Sequence, residues 1–238
     1  MEEMVGRWWH AAMTRLTQPA HAQAAVHLPD VQKSIGLLFR AAGGPGSLRV
    51  AEAGTQRTGG PRPWLHRMAG SGERAALPVL EPEVLALPPS IAAFADPKLN
   101  RDLYLWLALL SAHYAHQGQW IADNRAATRR ALAAFPGFSA RYARLCTGHR
   151  AQRPDPAALT GRAAGAERAV QTALLGQPGT GNDFGPADVA PVWLWVQAGQ
   201  ALLSPAATRS GAPLDEDASR APKSQDAQRR RTKMAQDG

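Results

Sequence analysis

The chain has 238 residues, 45% of them hydrophobic and 19% charged, with a formal net charge of +8 and a single cysteine. That length suffices for one good core or two small ones, and the lone Cys146 permits no internal disulfide, which fits a reducing compartment. The positive excess is spread thinly, with 20 Lys/Arg against 14 Asp/Glu over residues 1–203 and 7 against 5 beyond, and the one dense run is RRRTK at 229–233. Such a pattern points to a solvated surface and away from a nucleic-acid site.

In chain order, Val5, Trp8, Trp9, Ala12, Met13 and Leu16 recur at helical spacing and predict an amphipathic helix over 2–17. It opens with two acids and has no apolar stretch before it, which is not the pattern of a signal peptide. Asp30 is placed to cap a second helix, about 31–42, with Val31, Ile35, Leu38, Phe39 and Ala42 inward and Gly43-Gly44 as its stop. A Gly/Pro-rich stretch follows, with one short strand in SLRVAEA (47–53) and a short helix around RPWLHRMAG (62–70). VLALPPSIAAF (84–94) reads as extended segments broken by Pro88-Pro89.

The central helix starts in one of two ways: Asp96 caps it with Pro97 at the first position, or Asn100 caps it with Asp102 in the first turn. Its apolar run extends only from Leu103 to Leu110, with Arg101 and Asp102 before it and His113, His116 and Asp123 after. A membrane-spanning helix needs about 20 residues, so this run predicts the buried spine of a soluble domain. Further helices are predicted near 121–134, ending at Pro136-Gly137; over about 138–151, stopping before RPDP; and over about 156–175, ended by Gly176. APVWLWV (190–196) is an aromatic segment, strand or short helix, that closes the core. From Ser204 apolar residues nearly vanish, which predicts a flexible tail. The expected fold is mainly α with a small β element (α+β): a compact multi-helix domain over 1–203, then a charged, disordered linker over 204–238. No internal repeat is visible.

His113 and His116 stand at i and i+3, whereas the zinc-protease H-E-x-x-H motif needs histidines at i and i+4 and a glutamate between them. They read as polar residues where a buried helix emerges. GQPGTGND (176–183) has the glycine spacing of a phosphate-binding loop, but Asn182 and Asp183 occupy the places of Lys and Ser/Thr. AAGGPGS (41–47) lacks the lysine and follows a helix. No G-x-S-x-G elbow occurs, and Cys146, inside a predicted helix, reads as an inert packed thiol. Most of the seven tryptophans sit among Leu, Val and Ala as core residues. Trp8 and Trp9 are the exception, because adjacent helical residues diverge by about 100° and one is left for a partner domain. No residue is therefore assigned a catalytic, cofactor-binding or metal-binding role.

A chain of motifs carries more information than any one of them. MVGRWWHAAMTRL, KSIGLLFRAAGG, GPRPWLHRMAGSG, LALPPSIAAFADPKLNRDLYLWLALL, IADNRAATRRALAAFPGFSARYARL, QRPDPAAL and APVWLWV resemble, in this order and over about residues 4–197, the N-terminal region of the NorD family of nitric-oxide-reductase activation proteins. The CbbO proteins, which act on Rubisco, share that architecture. The resemblance implies an accessory protein and not an enzyme: a cytoplasmic adaptor, without a cofactor of its own, that works with a MoxR-type AAA+ ATPase. Its client would be the cytochrome c-dependent nitric oxide reductase, met on the cytoplasmic side, and its role assembly of that enzyme's non-haem iron site. Family members end in a von Willebrand factor A domain whose D-x-S-x-S motif is not found here; DEDAS (215–219) does not fit, and QDAQRRRTKMAQDG resembles the charged linker before that domain.

Arg7, Arg40, Arg101 and Asp102 lie within the matching motifs. Asp102 suits charge placement at a helix start, and Arg101 does not. More distant relatives carry an H-E-x-x-H-like pattern after a similar approach, and on that alignment the two histidine positions correspond to Leu110 and Tyr114 and the glutamate to Ser111. The alternatives that stay open are a CbbO-like adaptor for Rubisco activation and a degenerate zincin-like metal hydrolase.

Overall fold

The computed structural model describes residues 21–53, 77–179 and 183–203. The helices expected over 2–17 and 62–70, Arg7, Trp8, Trp9 and the tail from Ser204 lie outside them. Through the described residues run β1 (Val26–His27), α1 (Leu28–Ala41), β2 (Arg49–Glu52), β3 (Val79–Leu80), β4 (Val84–Leu87), β5 (Ser90–Ile91), α2 (Pro97–Ala112), α3 (Trp120–Ala134), α4 (Ser139–Ala151), α5 (Gly161–Leu174), β6 (Gln197–Ala198) and α6 (Gln200–Leu203). The architecture is mainly helical with small sheets, as the sequence predicts.

Helix α1 begins earlier than Asp30 would set it. Pro29 takes a first-turn position, Asp30 falls inside that turn, and His27 is the uncapped residue before the helix. A proline there has its φ already suited to the helix, and the carboxylate still faces the positive end. The end is as expected: Gly43 adopts φ +87°, its N–H donates to Arg40 O, and Gly44 N–H donates to Phe39 O. This pairing satisfies the last carbonyls of the helix. Gly44 has no room for a side chain, because a Cβ would enter the Phe39 ring.

Of the two possible starts of α2, the first holds. Asp96 Oδ1 accepts from Lys98 N–H at 2.8 Å, with Pro97 at the first position. Asp102 is thus beyond the first turn, and the charge-placement reading of that residue fails. Asn100 is no cap either. It is fully buried; its Oδ1 accepts from Phe94 N–H at 2.9 Å, and its Nδ2 donates to Ala24 O and Phe94 O, each at 2.8 Å. One turn on, Tyr104 Oη donates to Pro88 O at 2.7 Å. Together they pin the segment after Pro88-Pro89 onto the spine, so a polar pair at i and i+4 serves the core. Leu103–Leu110 are all buried except Leu105.

The main sheet has the order β2-β4-β3-β6, with β2 parallel to β4 (Arg49↔Val84 to Glu52↔Leu87), β3 antiparallel to β4 and β3 parallel to β6. β1 and β5 form a separate antiparallel pair, Val26 facing Ile91. Two expectations need correction. Residues 190–196 form neither strand nor helix, although Leu194, Trp195 and Val196 are buried as predicted. Side chains make the bonds a neighbouring strand would make: Trp106 Nε1 donates to Leu194 O at 2.9 Å and Trp120 Nε1 to Val196 O at 3.1 Å. The strand follows at Gln197. The helix expected over 156–175 is also split. Asp155 caps a 3-10 turn at Pro156–Ala158, Leu159 and Thr160 are extended, and Gly161 starts α5 at φ +57°, a left-handed conformation that a continuous right-handed helix cannot include.

Candidate functional site

The histidines stand where α2 gives way to α3, and they part company there. His113 is the residue that ends α2. Its carbonyl accepts from Arg130 Nε and Nη2 at 3.1 and 2.6 Å, and its ring lies 6.4 Å from that of Phe135. Burial first, and the Arg130 charge second, hold its pKa below the usual histidine value. His116 turns instead toward the start of α3, where its Nδ1 is 3.6 Å from Asp123 Oδ2. The same carboxylate oxygen accepts from Gln117 N–H at 2.9 Å and Gln119 N–H at 3.3 Å, so Asp123 ties the α2–α3 turn to the helix it opens. Among the described residues no three His, Cys, Asp or Glu side chains lie together as a metal cluster would require. Of the positions aligned with the distant H-E-x-x-H pattern, Leu110 is fully buried and Ser111 Oγ donates to Leu107 O. Tyr114 lies past the end of α2, so positions 110 and 114 do not share a helix face here.

Beside His116 opens a cleft of about 600 Å³, lined among others by Tyr114, Trp120, Asp183, Phe184 and Gln197. Its far wall is held by Arg162, whose guanidinium bonds both oxygens of Asp188 at 2.6 and 2.9 Å and the Asp183 carbonyl at 2.7 Å. That guanidinium also stacks over the Phe184 ring, 5.0 Å from its centre. Of the phosphate-loop candidate, Gly176 ends α5 at φ +70°, and Asn182 lies outside the described residues.

A second polar group is wholly internal. Arg153 and Glu167 face each other through two bonds of 2.7 Å, with side chains only 2% and 1% exposed. Arg153 also donates to Ala190 O and Pro191 O, and Glu167 accepts from Gln171 Nε2. His149 Nε2 lies 3.1 Å from Arg153 Nη1; since a guanidinium can only donate, that nitrogen is the acceptor and Nδ1 carries the proton. The pair ties α4, α5 and the loop before Val192 into one unit. Sequence reading missed it, yet Glu167 falls on the buried face marked by Ala164, Val170 and Leu174, and an acid at an apolar-periodic position is the signal that could have found it. Asn124, between buried Ile121 and Ala127, carries the same signal.

The remaining residues singled out in the sequence fall into place around this frame. Trp106 and Trp195 are buried, and Trp120 and Trp193 pack against the core from its edge. Cys146 is buried, and burial pushes its thiol up to about 11. Asp102 accepts from Arg141 at 3.3 Å and lies 3.7 Å from Arg144, while Arg40 and Arg101 are exposed. What the described residues assemble is a helical frame with an open polar–aromatic cleft.

Comparison with known proteins gives a consistent answer. The chain is 35% identical over 213 residues to an uncharacterized protein of Pseudomonas aeruginosa, covering 89% of this chain and 35% of that one. It is 35% identical over 210 residues to the protein NorD of Stutzerimonas stutzeri, covering 87% of this chain and 34% of the relative, and 34% identical over 168 residues to NorD of Brucella abortus, covering 65% and 26%. The chain thus spans about a third or less of the length of the relatives it matches. No family model and no solved structure matches it.

Proposed function

Because the chain is a NorD-related protein, we propose that it acts as an accessory protein in the activation of the cytochrome c-dependent nitric oxide reductase and not as a catalyst. The observation that carries this reading is the ordered run of motifs from Met4 to Val196, which agrees with the 87% of the chain that aligns with a protein named NorD. In the finer form of the reading the chain is a cytoplasmic adaptor. It presents binding surfaces to a MoxR-type AAA+ ATPase and to the reductase, and ATP-driven motion passed through it assists assembly of the non-haem iron site. A frame locked by buried polar clamps supports that role, since a coupling element must move as one body. Among the described residues no helix is long and apolar enough to cross a membrane.

The test is nitric oxide consumption by membranes from a strain lacking the gene, with and without residues 1–238 restored. Loss on deletion, and recovery with the chain or a longer form of it, is the expected result. Unchanged consumption would remove the reading, and a fall in Rubisco activity instead would transfer the chain to a CbbO-like role.

A further inference from the structure

Leu105 is the exception on the spine: its neighbours from Leu103 to Leu110 are buried and it is not. With Leu38 of α1 and Phe135 and Phe138 of the α3–α4 corner it lines an open groove of about 530 Å³, with Arg141 at the rim. An open groove lined mainly by apolar side chains between helices is the form in which helix-binding surfaces occur.

Beside the groove three arginines, Arg101, Arg141 and Arg144, stand against one carboxylate, Asp102. Arg141 and Arg144 share the single carboxylate of Asp102, so one positive charge there is left over. Arg101, exposed, lies one turn before Leu105 on the same face of α2. The walls are helices, and the mode of recognition that fits two helical walls is a third, amphipathic helix laid between them with anchors at i, i+3 or i+4, and i+7.

We propose that the groove between α1, α2 and the α3–α4 corner docks an acidic amphipathic helix of a partner protein. Its leucine-type side chains fill the space over Leu38, Leu105 and Phe138, and its carboxylates meet Arg101 and Arg141. Complementary charge of this kind sets orientation and encounter rate, and the apolar anchors hold the complex. The inference deepens the adaptor reading and rests on it for its biological meaning, but the surface can be tested without reference to nitric oxide.

The experiment uses residues 1–238 and a fluorescein-labelled 16-residue helical peptide with leucine at the anchor positions and glutamate elsewhere, followed by anisotropy at low and moderate salt. A Leu/Lys peptide of the same pattern and a Ser/Glu peptide serve as controls. The Leu/Glu peptide is expected to bind saturably, at least tenfold tighter than either control, and Arg101→Glu with Arg141→Glu is expected to weaken it at least tenfold. If the double variant melts abnormally, Arg101→Glu singly, at an exposed position, carries the same test. Equal binding of the Leu/Lys peptide, or no effect of charge reversal, would overturn the proposal. So would a dimer in sedimentation equilibrium that Leu105→Glu disperses, because the groove would then belong to a second copy of the chain. Peptide binding without a nitric oxide phenotype in the deletion strain would keep the surface and remove the adaptor reading; the phenotype without peptide binding would do the reverse.

Discussion

Asn124 grips both polar groups of the Val196 backbone: its Nδ2 donates to Val196 O at 3.1 Å and its Oδ1 accepts from Val196 N–H at 3.0 Å. The side chain thus acts as one residue of a missing neighbouring strand, and Val196 is fully buried as a result. Replacing Asn124 by leucine leaves the Val196 N–H buried without a partner, while Trp120 still serves the carbonyl. An orphaned buried donor costs about 1–3 kcal/mol and each lost bond about 1 kcal/mol more. Asn124→Leu should therefore lower the urea midpoint by roughly 1 M at an ordinary slope for this size. An unchanged midpoint would mean that the 190–196 segment is not held in this way.

The Arg153–Glu167 pair predicts a different pattern of loss. Each partner alone is an uncompensated charge in a nearly water-free site, and breaking such a pair costs about 3–5 kcal/mol. Arg153→Met and Glu167→Leu should each lower the urea midpoint by roughly 1–2 M, and the double variant should lose far less than the sum of the two. Additive losses in the double-mutant cycle would show that the two side chains do not depend on each other.

His149 makes stability depend on pH in a defined window. Burial first, and the Arg153 cation second, hold its folded pKa well below the ordinary value of 6.5. In the unfolded chain it titrates normally, so below about pH 6.5 the unfolded state binds the extra proton and stability falls with pH. For one such histidine the loss between pH 7.5 and 5.5 is about 1.4 kcal/mol. His113, lowered in the same sense, adds to it, whereas Asp188, whose carboxyl is held low by Arg162, acts only nearer pH 4. Urea titrations at pH 7.5 and 5.5 measure the difference. His149→Gln keeps an acceptor for Arg153 and should reduce the pH-dependent part, even though it lowers stability at both values.

These three sites also mark the limit of what the sequence revealed. The helices whose apolar faces repeat, α1 to α4, were legible because periodicity records which side meets the core. Cap chemistry placed the start of α2 at one of two residues, and the hydrogen bond to Lys98 decided it. What could not be read was long-range. Asn100 answers to Ala24, Asn124 to Val196 and Arg153 to Glu167, and nothing local distinguishes such residues from surface polar groups except their place on an apolar face. The APVWLWV segment escapes local reading for the same reason: its composition suits a strand or a short helix, but its backbone partners are side chains far away in sequence. Of the surface groove, the leucines were visible and their convergence was not.

Cys146 gives the last prediction. It sits on the inner face of α4 beside Tyr142 and Leu145, and burial raises its thiol to about 11, opposed only in part by the Tyr142 hydroxyl and the Arg150 charge. Because the thiolate is the reactive species, a thiol raised to about 11 is almost wholly protonated at pH 8 and holds roughly a hundredfold less thiolate than an ordinary cysteine, before access is considered. Alkylation by iodoacetamide at pH 8 should accordingly be more than a hundred times slower in the native chain than in urea, and the rate should rise along the same curve as the loss of helical circular dichroism. Labelling that runs ahead of that curve would show that α4 opens before the rest of the frame. That result would count against the packing of Cys146.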